Sequence, residues 1–282
     1  MTEADRRDLK VLAEKTGRVN ILLMGSDGGR SDTMMVVSLD PKTRLVDLVS
    51  VPRDTYHPVP GHTAVGAQKL NAVYGFKGGD GGPEGVRRQV AALLGIPIHY
   101  YVNIDYQGVR EVVDILGGVP VEIPFRMVYD DVYDDPPLHI RFEQGSHLLS
   151  GDDAVKYLRW RKNNGEEGAG DLGRIQRQQD FMGAALKKAL GLKLPSVIQA
   201  SFRHLKTDMP VDRMLRYGAV LAGFDPSGLQ AQLIPGEVQT VDGLSVYVHD
   251  PAATEALLLA LYNRTVPEPG EDTAALEPKQ TP

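Results

Sequence analysis

The chain has 282 residues, of which 42% are hydrophobic and 24% charged, so it can bury a sizeable core as one large domain or two small ones. Its formal net charge of −6 excludes the basic surface expected of a general nucleic-acid binder. The absence of cysteine excludes disulfides and thiolate metal sites, and the seven histidines show no zinc-ligand spacing.

The N-terminal stretch "MTEADRRDLKVLAEKTGR" is too polar for a signal peptide, and no stretch reaches the ~20 apolar residues of a membrane span. We therefore expect either a cytosolic protein or a chain from which a membrane anchor has been removed. Residues 1–17 are interpreted as a lead-in and residues 18–264 as one domain. Residues 265–282, rich in proline and acidic residues, are predicted to be a disordered tail.

The hydrophobic pattern predicts alternating strands and helices. A short helix over 8–15 precedes strands at 19–24, 34–39 and 45–51, and a loop rich in Pro and Gly covers 54–82. The next segments in order are a helix in "PEGVRRQVAALLG", a strand in "IPIHYYVNI", a helix in "DYQGVREVVDILGG" with Asp105 as N-cap, and a strand in "VPVEIP".

After Gly191 the pattern predicts helices near 195–203, at 210–222 and at 251–263, and strands near 229–234 and 244–248. No long linker separates these elements from the preceding ones, so they are expected at the far edge of the same sheet. The alternation predicts the α/β class, as a single α/β/α sandwich with a mixed central sheet.

Residues 25–34 read "GSDGGRSDTM" and directly follow the apolar run "VNILLM". Gly, Ser and Asp favour turns, so the simplest interpretation is a hairpin leading into "MMVVSL". A hairpin does not need the charged residues that meet here, Asp27, Arg30 and Asp32. Carboxylates beside a guanidinium suit a divalent cation that holds a phosphate.

A second candidate stands where "LVDLVSVPRDT" ends in Arg53 and Asp54. In open α/β sheets ligands gather just outside the ends of strands, and this placement favours Arg53 as a ligand-binding residue. The alternative is an ordinary Arg–Asp pair in a surface turn.

The richest cluster is "YLRWRKNNGEEGAGDLGRIQRQQDFMGAALKKAL". On an extended segment Arg159 and Arg161 would face one side, opposite Leu158 and Trp160. Asp171 is predicted to open a helix with a stripe that is polar in its first two turns and apolar beyond. The stripe contains, in order, Asp171, Arg174, Ile175, Gln178, Met182 and Leu186.

Such a stripe suits an amphiphile whose phosphate lies at the helix N-terminus, near Arg174 and Gln178, and whose lipid tail passes Met182 and Leu186. The alternative is an ordinary amphipathic helix with solvated arginines. The acidic segment "DDVYDDPP", residues 130–137, is interpreted as a solvated loop and is not assigned to a site.

Together these motifs resemble the LytR-CpsA-Psr family of cell-wall glycopolymer ligases. The resemblance is carried, in the family's order over residues 19–190, by the stretches "NILLMGSDGGRSDTMMVVSLDPKT", "LVSVPRDTY", "KLNAVYGFKGG", "LLGIPIHYYVNIDYQGVREVVDILGGVPVEIP", "GSHLLSGDDAVKYLRWR" and "GDLGRIQRQQDF". So many ordered motifs make a chance match improbable.

The resemblance implies a Mg²⁺-dependent phosphotransferase anchored outside the cytoplasmic membrane. Such an enzyme moves a glycopolymer, for example teichoic acid or capsule polysaccharide, from a polyprenyl (undecaprenyl) pyrophosphate carrier to peptidoglycan. The implied partners are therefore the lipid-linked polymer, peptidoglycan and the membrane, without nucleic acid. The lipid tail is expected in an apolar tunnel between the sheet and the helices.

The resemblance also assigns residues. Asp27 and Asp32 match the metal ligands. The catalytic and phosphate-binding set, which stabilises the charge of the reacting phosphates, matches Arg30, Arg53, Arg159, Arg161, Arg174 and Gln178. Asp171 matches an acidic residue proposed to assist catalysis, and we expect it to act as general base. Arginines and a divalent ion supply what phosphoryl transfer mostly requires, charge stabilisation and alignment.

Two rival functions use the same residues. A polyprenyl pyrophosphate phosphohydrolase would use water as acceptor, and a non-enzymatic lipid-phosphate binding protein would need the arginines and the tunnel without the metal. A transcription regulator is disfavoured because the chain is acidic and has no clear helix-turn-helix.

Overall fold

The structure, a computed structural model, describes residues 2, 4, 7–27, 30–134, 137–160, 163, 170–189, 205–221, 224 and 228–265, without the side chains of residues 27, 30 and 170–172. Within these ranges no helix has the length and apolar character needed to cross a membrane. The predicted helix near 195–203 and all but the first residue of the predicted tail at 265–282 lie outside the described residues.

The described strands are β1 Val19–Asp27, β2 Arg30–Leu39, β3 Val46–Ser50, β4 Tyr100–Ile104, β5 Val119–Ile123, β6 Met127–Asp131, β7 Leu138–Phe142, β8 Gly145–Leu149, β9 Leu205–Thr207, β10 Gln230–Leu233, β11 Gly236–Val241 and β12 Leu244–His249. The described α-helices are α1 Leu9–Thr16, α2 Leu70–Val73, α3 Gly82–Leu94, α4 Tyr106–Leu116, α5 Gly151–Arg159, α6 Gly170–Ala189, α7 Val211–Leu221 and α8 Pro251–Tyr262.

Six strands form the central sheet in the order β10-β3-β2-β1-β4-β9. Strand β2 runs antiparallel to β1 and β3, while β4 is parallel to β1 and β10 is parallel to β3. The predicted mixed sheet is therefore confirmed, and β10 lies at its edge as expected. Strands β1, β3 and β4 all direct their carboxyl ends to the same edge of the sheet.

Two predicted strands lie outside this sheet. Strand β5 pairs with β8, and β12 pairs with β11, each in a separate two-stranded sheet. Before β5 the chain turns at Gly117 and Gly118, both of which have positive φ, 72° and 86°. The expectation that the C-terminal elements all extend the central sheet is therefore wrong for β12, because the hairpin turn at Asp242 and Gly243 pairs it with its neighbour in sequence.

The alternation of strand side chains places one apolar layer on each face of the sheet. Leu22, Met24 and Met34 pack with residues of α1, α3 and α8. On the opposite face Leu23, Met35 and Val37 pack toward α6 and α7. The predicted α/β/α sandwich is thereby confirmed.

A further core is built by α4, α5, the antiparallel pair β5–β8 and the hairpin β6–β7, packed against the second half of α6. Its largest buried side chains are Tyr157 and Trp160. Because α6 contacts both this core and the sheet, it lies over the boundary between them.

Local helix signals agree with the structure at α3 and α4. Asp105 caps α4 by accepting a 2.8 Å hydrogen bond from the Gly108 amide, and Gly95 ends α3 in the left-handed region with φ 66°. The predicted loop over 54–82 contains α2 and two short 3-10 turns, Val65–Gln68 and Gly78–Asp80. Helix α5 was not predicted.

Candidate active site

The described residues of the motif at 25–34 form the end of β1 and the beginning of β2. The strands pair from Val19–Leu39 to Asp27–Arg30, and the register shifts between Gly25 and Ser26. The hairpin interpretation is therefore confirmed. It also brings the backbone of Asp27 opposite that of Arg30 at the edge of the sheet, while the side chains of both residues lie outside the description.

The candidates Asp32 and Arg53 meet at this edge. Arg53 follows β3, and its Nη1 donates a 2.6 Å hydrogen bond to Asp32 Oδ1. The Arg53 Nε lies 3.4 Å from Asp54 Oδ2, and Lys69 Nζ donates a 3.0 Å bond to Asp54 Oδ1. Two cations and two carboxylates thus alternate where the strands end.

Beside this edge lies a cavity of about 740 Å³. Its floor is one face of the central sheet, where Leu23, Met35 and Val102 stand side by side on β1, β2 and β4. Helices α4, α5 and α6 and the hairpin β6–β7 form its walls. The cavity therefore lies between sheet and helices, where the tunnel was expected.

The polarity of the cavity changes along α6. Arg174 and Gln178, both nearly buried, line it from the first half of the helix, and Phe181, Met182 and Ala185 line it further on. At 1.5 Å per residue, Arg174 and Ala185 are separated by ~16 Å along the helix axis. The cavity wall formed by α6 is therefore polar first and apolar further along the helix, as predicted.

The two residues assigned to a lipid tail occupy different places. Met182 lines the cavity, whereas Leu186 packs in the apolar layer beneath α7 with residues such as Val37 and Phe224. The structure instead places Ala185 in the cavity wall beside Met182.

Arg159 lines the polar part of the cavity, but it is the last residue of α5 and does not lie on an extended segment. The predicted alternation over 158–161 is therefore wrong for Leu158 and Arg159, since the helix continues through them and Leu158 also lines the cavity. The Arg159 guanidinium lies 5.4 Å from the centre of the Tyr106 ring. Arg161 lies outside the described residues, as does the side chain of Asp171.

The acidic segment 130–137 contributes to the cavity. Arg159 Nη2 donates a 2.7 Å hydrogen bond to Asp134 Oδ2, and Asp131 is one of the lining residues. The interpretation of this segment as a solvated loop is therefore wrong for Asp131 and Asp134. The hairpin β6–β7 brings Asp131 to the cavity wall and Asp134 to Arg159.

Arg177 is a residue of this region that the sequence interpretation missed. It is 7% exposed, its Nη2 donates a 2.8 Å hydrogen bond to the Trp160 carbonyl, and its guanidinium carbon lies 4.4 Å from the centre of the Trp160 ring. Burial lowers the pKa of Arg177 to about 10, so it stays protonated at neutral pH. The signal in the sequence was a second arginine, one turn after Arg174.

Comparison with known proteins gives a match to the LytR_cpsA_psr family over residues 1–261. The polyisoprenyl-teichoic acid–peptidoglycan teichoic acid transferase TagV of Bacillus subtilis (strain 168) is 29% identical over 257 residues, which cover 87% of this chain and 63% of TagV. The corresponding transferase TagU of Bacillus mycoides (strain KBAB4) is 34% identical over 209 residues, 71% of this chain and 63% of TagU.

The chain therefore spans less than two thirds of the length of these two relatives. The crystal structure of B. subtilis TagV superimposes with a TM-score of 0.71 at 28% identity, covering 88% of this chain and 96% of that chain.

Proposed function

The chain belongs to the LytR_cpsA_psr family, and we propose that it transfers a glycopolymer from a polyprenyl pyrophosphate carrier to peptidoglycan. The observation that carries this proposal is the cavity, whose polar part contains Asp32, Arg159, Arg174 and Gln178 and whose remainder is apolar. A ligand that fits both parts is an anionic headgroup on a hydrocarbon chain. The names of TagV and TagU support a teichoic acid as the polymer.

In the proposed reaction a peptidoglycan sugar hydroxyl attacks the phosphorus atom next to the glycopolymer. The bond from this phosphorus to the bridging oxygen breaks, and the electron pair leaves with the polyprenyl monophosphate. The hydroxyl proton passes to Asp171, the proposed base, and then to solvent. The products are a phosphodiester between polymer and peptidoglycan, and the lipid monophosphate.

The arginines of the site stabilise charge during this step. We assign Arg30 to the transferred phosphate and Arg53, Arg159 and Arg161 to the departing lipid phosphate. Guanidinium groups suit this task because they bind phosphate oxygens with two parallel N–H donors and stay charged. Arg174 and Gln178 supply donors from the wall of the cavity.

Magnesium is proposed as the cofactor, held by Asp32 and Asp27. The donor chemistry fits, because Asp32 offers a partly exposed carboxylate at the sheet edge and Mg²⁺ commonly takes one or two carboxylates together with substrate phosphate oxygens. When bound, the ion neutralises part of the pyrophosphate charge.

An extracytoplasmic location at the cell membrane follows from this function, since peptidoglycan and the lipid carrier meet there. The test is incubation of the protein with a labelled polymer on polyprenyl pyrophosphate, with and without peptidoglycan. We expect label on peptidoglycan and release of lipid monophosphate only when peptidoglycan is present. Release without peptidoglycan would identify a phosphohydrolase, and unchanged bound lipid would identify a binding protein.

A further inference from the structure

Arg177 occupies an unusual environment for an arginine. It lies on α6 one turn after Arg174, its side chain is nearly buried, and its guanidinium lies over the Trp160 ring. In the part of the chain that the structure describes, no carboxylate pairs with it, and its charged neighbour is a second cation, Arg174. Burying an unpaired charge is costly, so its retention calls for a reason other than packing.

The contacts of Arg177 point to the end of α5. Trp160 is the C-cap residue of that helix, its amide donates to the Lys156 carbonyl, and its backbone leaves the helix with φ −62° and ψ 134°. Arg177 donates to the carbonyl of the same residue and stacks on its ring. A cation that binds the last carbonyl of a helix also interacts favourably with the helix dipole.

This end of α5 carries a residue of the site. Arg159 precedes Trp160, lines the cavity, and is the last helical residue. Any change in the path of the backbone at Trp160 moves the Arg159 guanidinium, and a displacement of about 1 Å at such a site is costly for catalysis. Arg177 itself is not among the cavity-lining residues.

We propose that Arg177 is a positioning residue, which clamps Trp160 from both its carbonyl and its ring and thereby holds Arg159 toward the pyrophosphate. The inference rests on the proposed function, because it concerns the same headgroup site. An arginine suits the role because its planar group can donate a hydrogen bond and stack at once, which a lysine ammonium does not do equally well.

The experiment compares Arg177→Met and Arg177→Lys with the parent protein. Isothermal titration calorimetry measures the affinity for farnesyl pyrophosphate and for farnesol, which has the same hydrocarbon chain without the headgroup. Trp160 is the only tryptophan of the chain, so its fluorescence reports the clamp directly. The control is Arg88→Met, which removes a 43% exposed arginine of α3 on the other side of the sheet.

We expect Arg177→Met to bind farnesyl pyrophosphate at least ~10-fold more weakly than the parent, with the farnesol affinity unchanged and the Trp160 emission altered. Arg177→Lys should recover part of the loss, because its ammonium can still donate to the carbonyl. Arg88→Met should resemble the parent in every measurement. If Arg177→Met does not fold, the test rests on Arg177→Lys. This variant should show a smaller loss of affinity for farnesyl pyrophosphate and an unchanged affinity for farnesol.

Equal farnesyl pyrophosphate affinity in the parent and the folded Arg177 variants would overturn the inference and leave the proposed function standing. An equal loss of farnesol binding would also overturn it, because it would indicate general damage to the cavity. A parent protein that binds farnesol and farnesyl pyrophosphate equally would instead contradict the proposed function, and the inference with it.

Discussion

Arg53 and Asp32 form an ion pair, with 2.6 Å between Nη1 and Oδ1, across the edge of the sheet where β2 begins and β3 has ended. The two side chains come from positions 21 residues apart and are only partly exposed, at 18% and 28%. The residue proposed to bind phosphate thus holds the residue proposed to bind metal. Substrate and ion must compete with, or rearrange, this pair.

The first prediction concerns Arg53→Ala. If Arg53 stabilises the departing phosphate, its removal should lower the rate of transfer by about 10²-fold or more. The loss of one preorganised charge-stabilising group commonly lowers a reaction rate by this factor. The thermal unfolding midpoint should change little, since the side chain is partly exposed. Arg88→Met is the control for loss of an arginine. Transfer by Arg53→Ala at the parental rate would place the residue outside the catalytic set.

The second prediction concerns magnesium. Two carboxylates alone make a weak Mg²⁺ site, because the ion gives up its water reluctantly and relies on phosphate oxygens. We expect calorimetry to show that farnesyl pyrophosphate strengthens Mg²⁺ binding, and that Asp32→Asn abolishes this coupling. Equal Mg²⁺ affinity with and without the pyrophosphate would contradict the assignment.

A third prediction follows from the 2.7 Å pair between Arg159 and Asp134. The Asp134 carboxylate accepts a hydrogen bond from the Arg159 guanidinium, which in the proposed function binds the lipid phosphate. Asp134→Asn should therefore increase the affinity for farnesyl pyrophosphate. Both side chains are about one quarter exposed, so the pair contributes about 1 kcal/mol at most, or about fivefold in Kd. Asp152→Asn, in the exposed pair with Arg110, is the matched control. Weaker binding by Asp134→Asn would show that this carboxylate supports the site.

The sequence was most informative where the signal is local. Asp105 was identified as the N-cap of α4 because capping needs only the residues of the first turn. Helix α5 carries such a signal at Ser150, whose hydroxyl accepts from the Asp153 amide, but the sequence interpretation did not use it. The residues at the strand ends, Asp32 and Arg53, were predictable because strand polarity sets where they meet.

Long-range pairing was not predictable in the same way. Strand β5 has a clear strand pattern, yet nothing in its own residues specifies β8 as its partner. Asp134 is separated from Arg159 by 25 positions, and its place beside Arg159 depends on how the hairpin β6–β7 folds back. The contact of Arg177 with Trp160 likewise appears only when α6 packs on the end of α5.

The fourth prediction concerns pH. Burial lowers the pKa of His99 below its ordinary value near 6.5, and its Nδ1 accepts a 3.0 Å hydrogen bond from the Asn20 amide, which requires an unprotonated nitrogen. The unfolded chain therefore takes up this proton at a higher pH than the folded chain. The contribution of His99 to the free energy of unfolding is therefore fully present above pH ~6.5 and should be lost as the pH falls below this value.

The measurement is the urea midpoint at pH 7.5 and pH 5.5. In His99→Asn an amide oxygen can accept from Asn20 without titrating, so the fall on acidification should be smaller than in the parent. Part of it should remain, because the pKa values of His57 and His249 are also lowered by burial. A fall in His99→Asn as large as in the parent would exclude His99 as a contributor.

The last prediction tests the path of the lipid tail. Met182 lines the cavity two turns beyond Arg174 on α6, so a tail that starts from a phosphate at Arg174 and Gln178 should pass it. A carboxylate at this position would oppose the burial of hydrocarbon, which stabilises binding by ~0.8 kcal/mol per methylene, and would leave the headgroup contacts in place. Met182→Glu should therefore lose affinity for long-chain pyrophosphates and keep it for short soluble ones.

Leu215→Glu is the control, because Leu215 is 54% exposed on α7 and lies outside the cavity lining. Circular dichroism and thermal unfolding establish that both variants fold, and calorimetry then compares a long-chain polyprenyl pyrophosphate with dimethylallyl pyrophosphate. The ratio of the two affinities is the decisive quantity, since damage to the headgroup site lowers both. If folded Met182→Glu keeps the parental ratio, the tail does not pass Met182, and the apolar part of α6 serves only to pack the core.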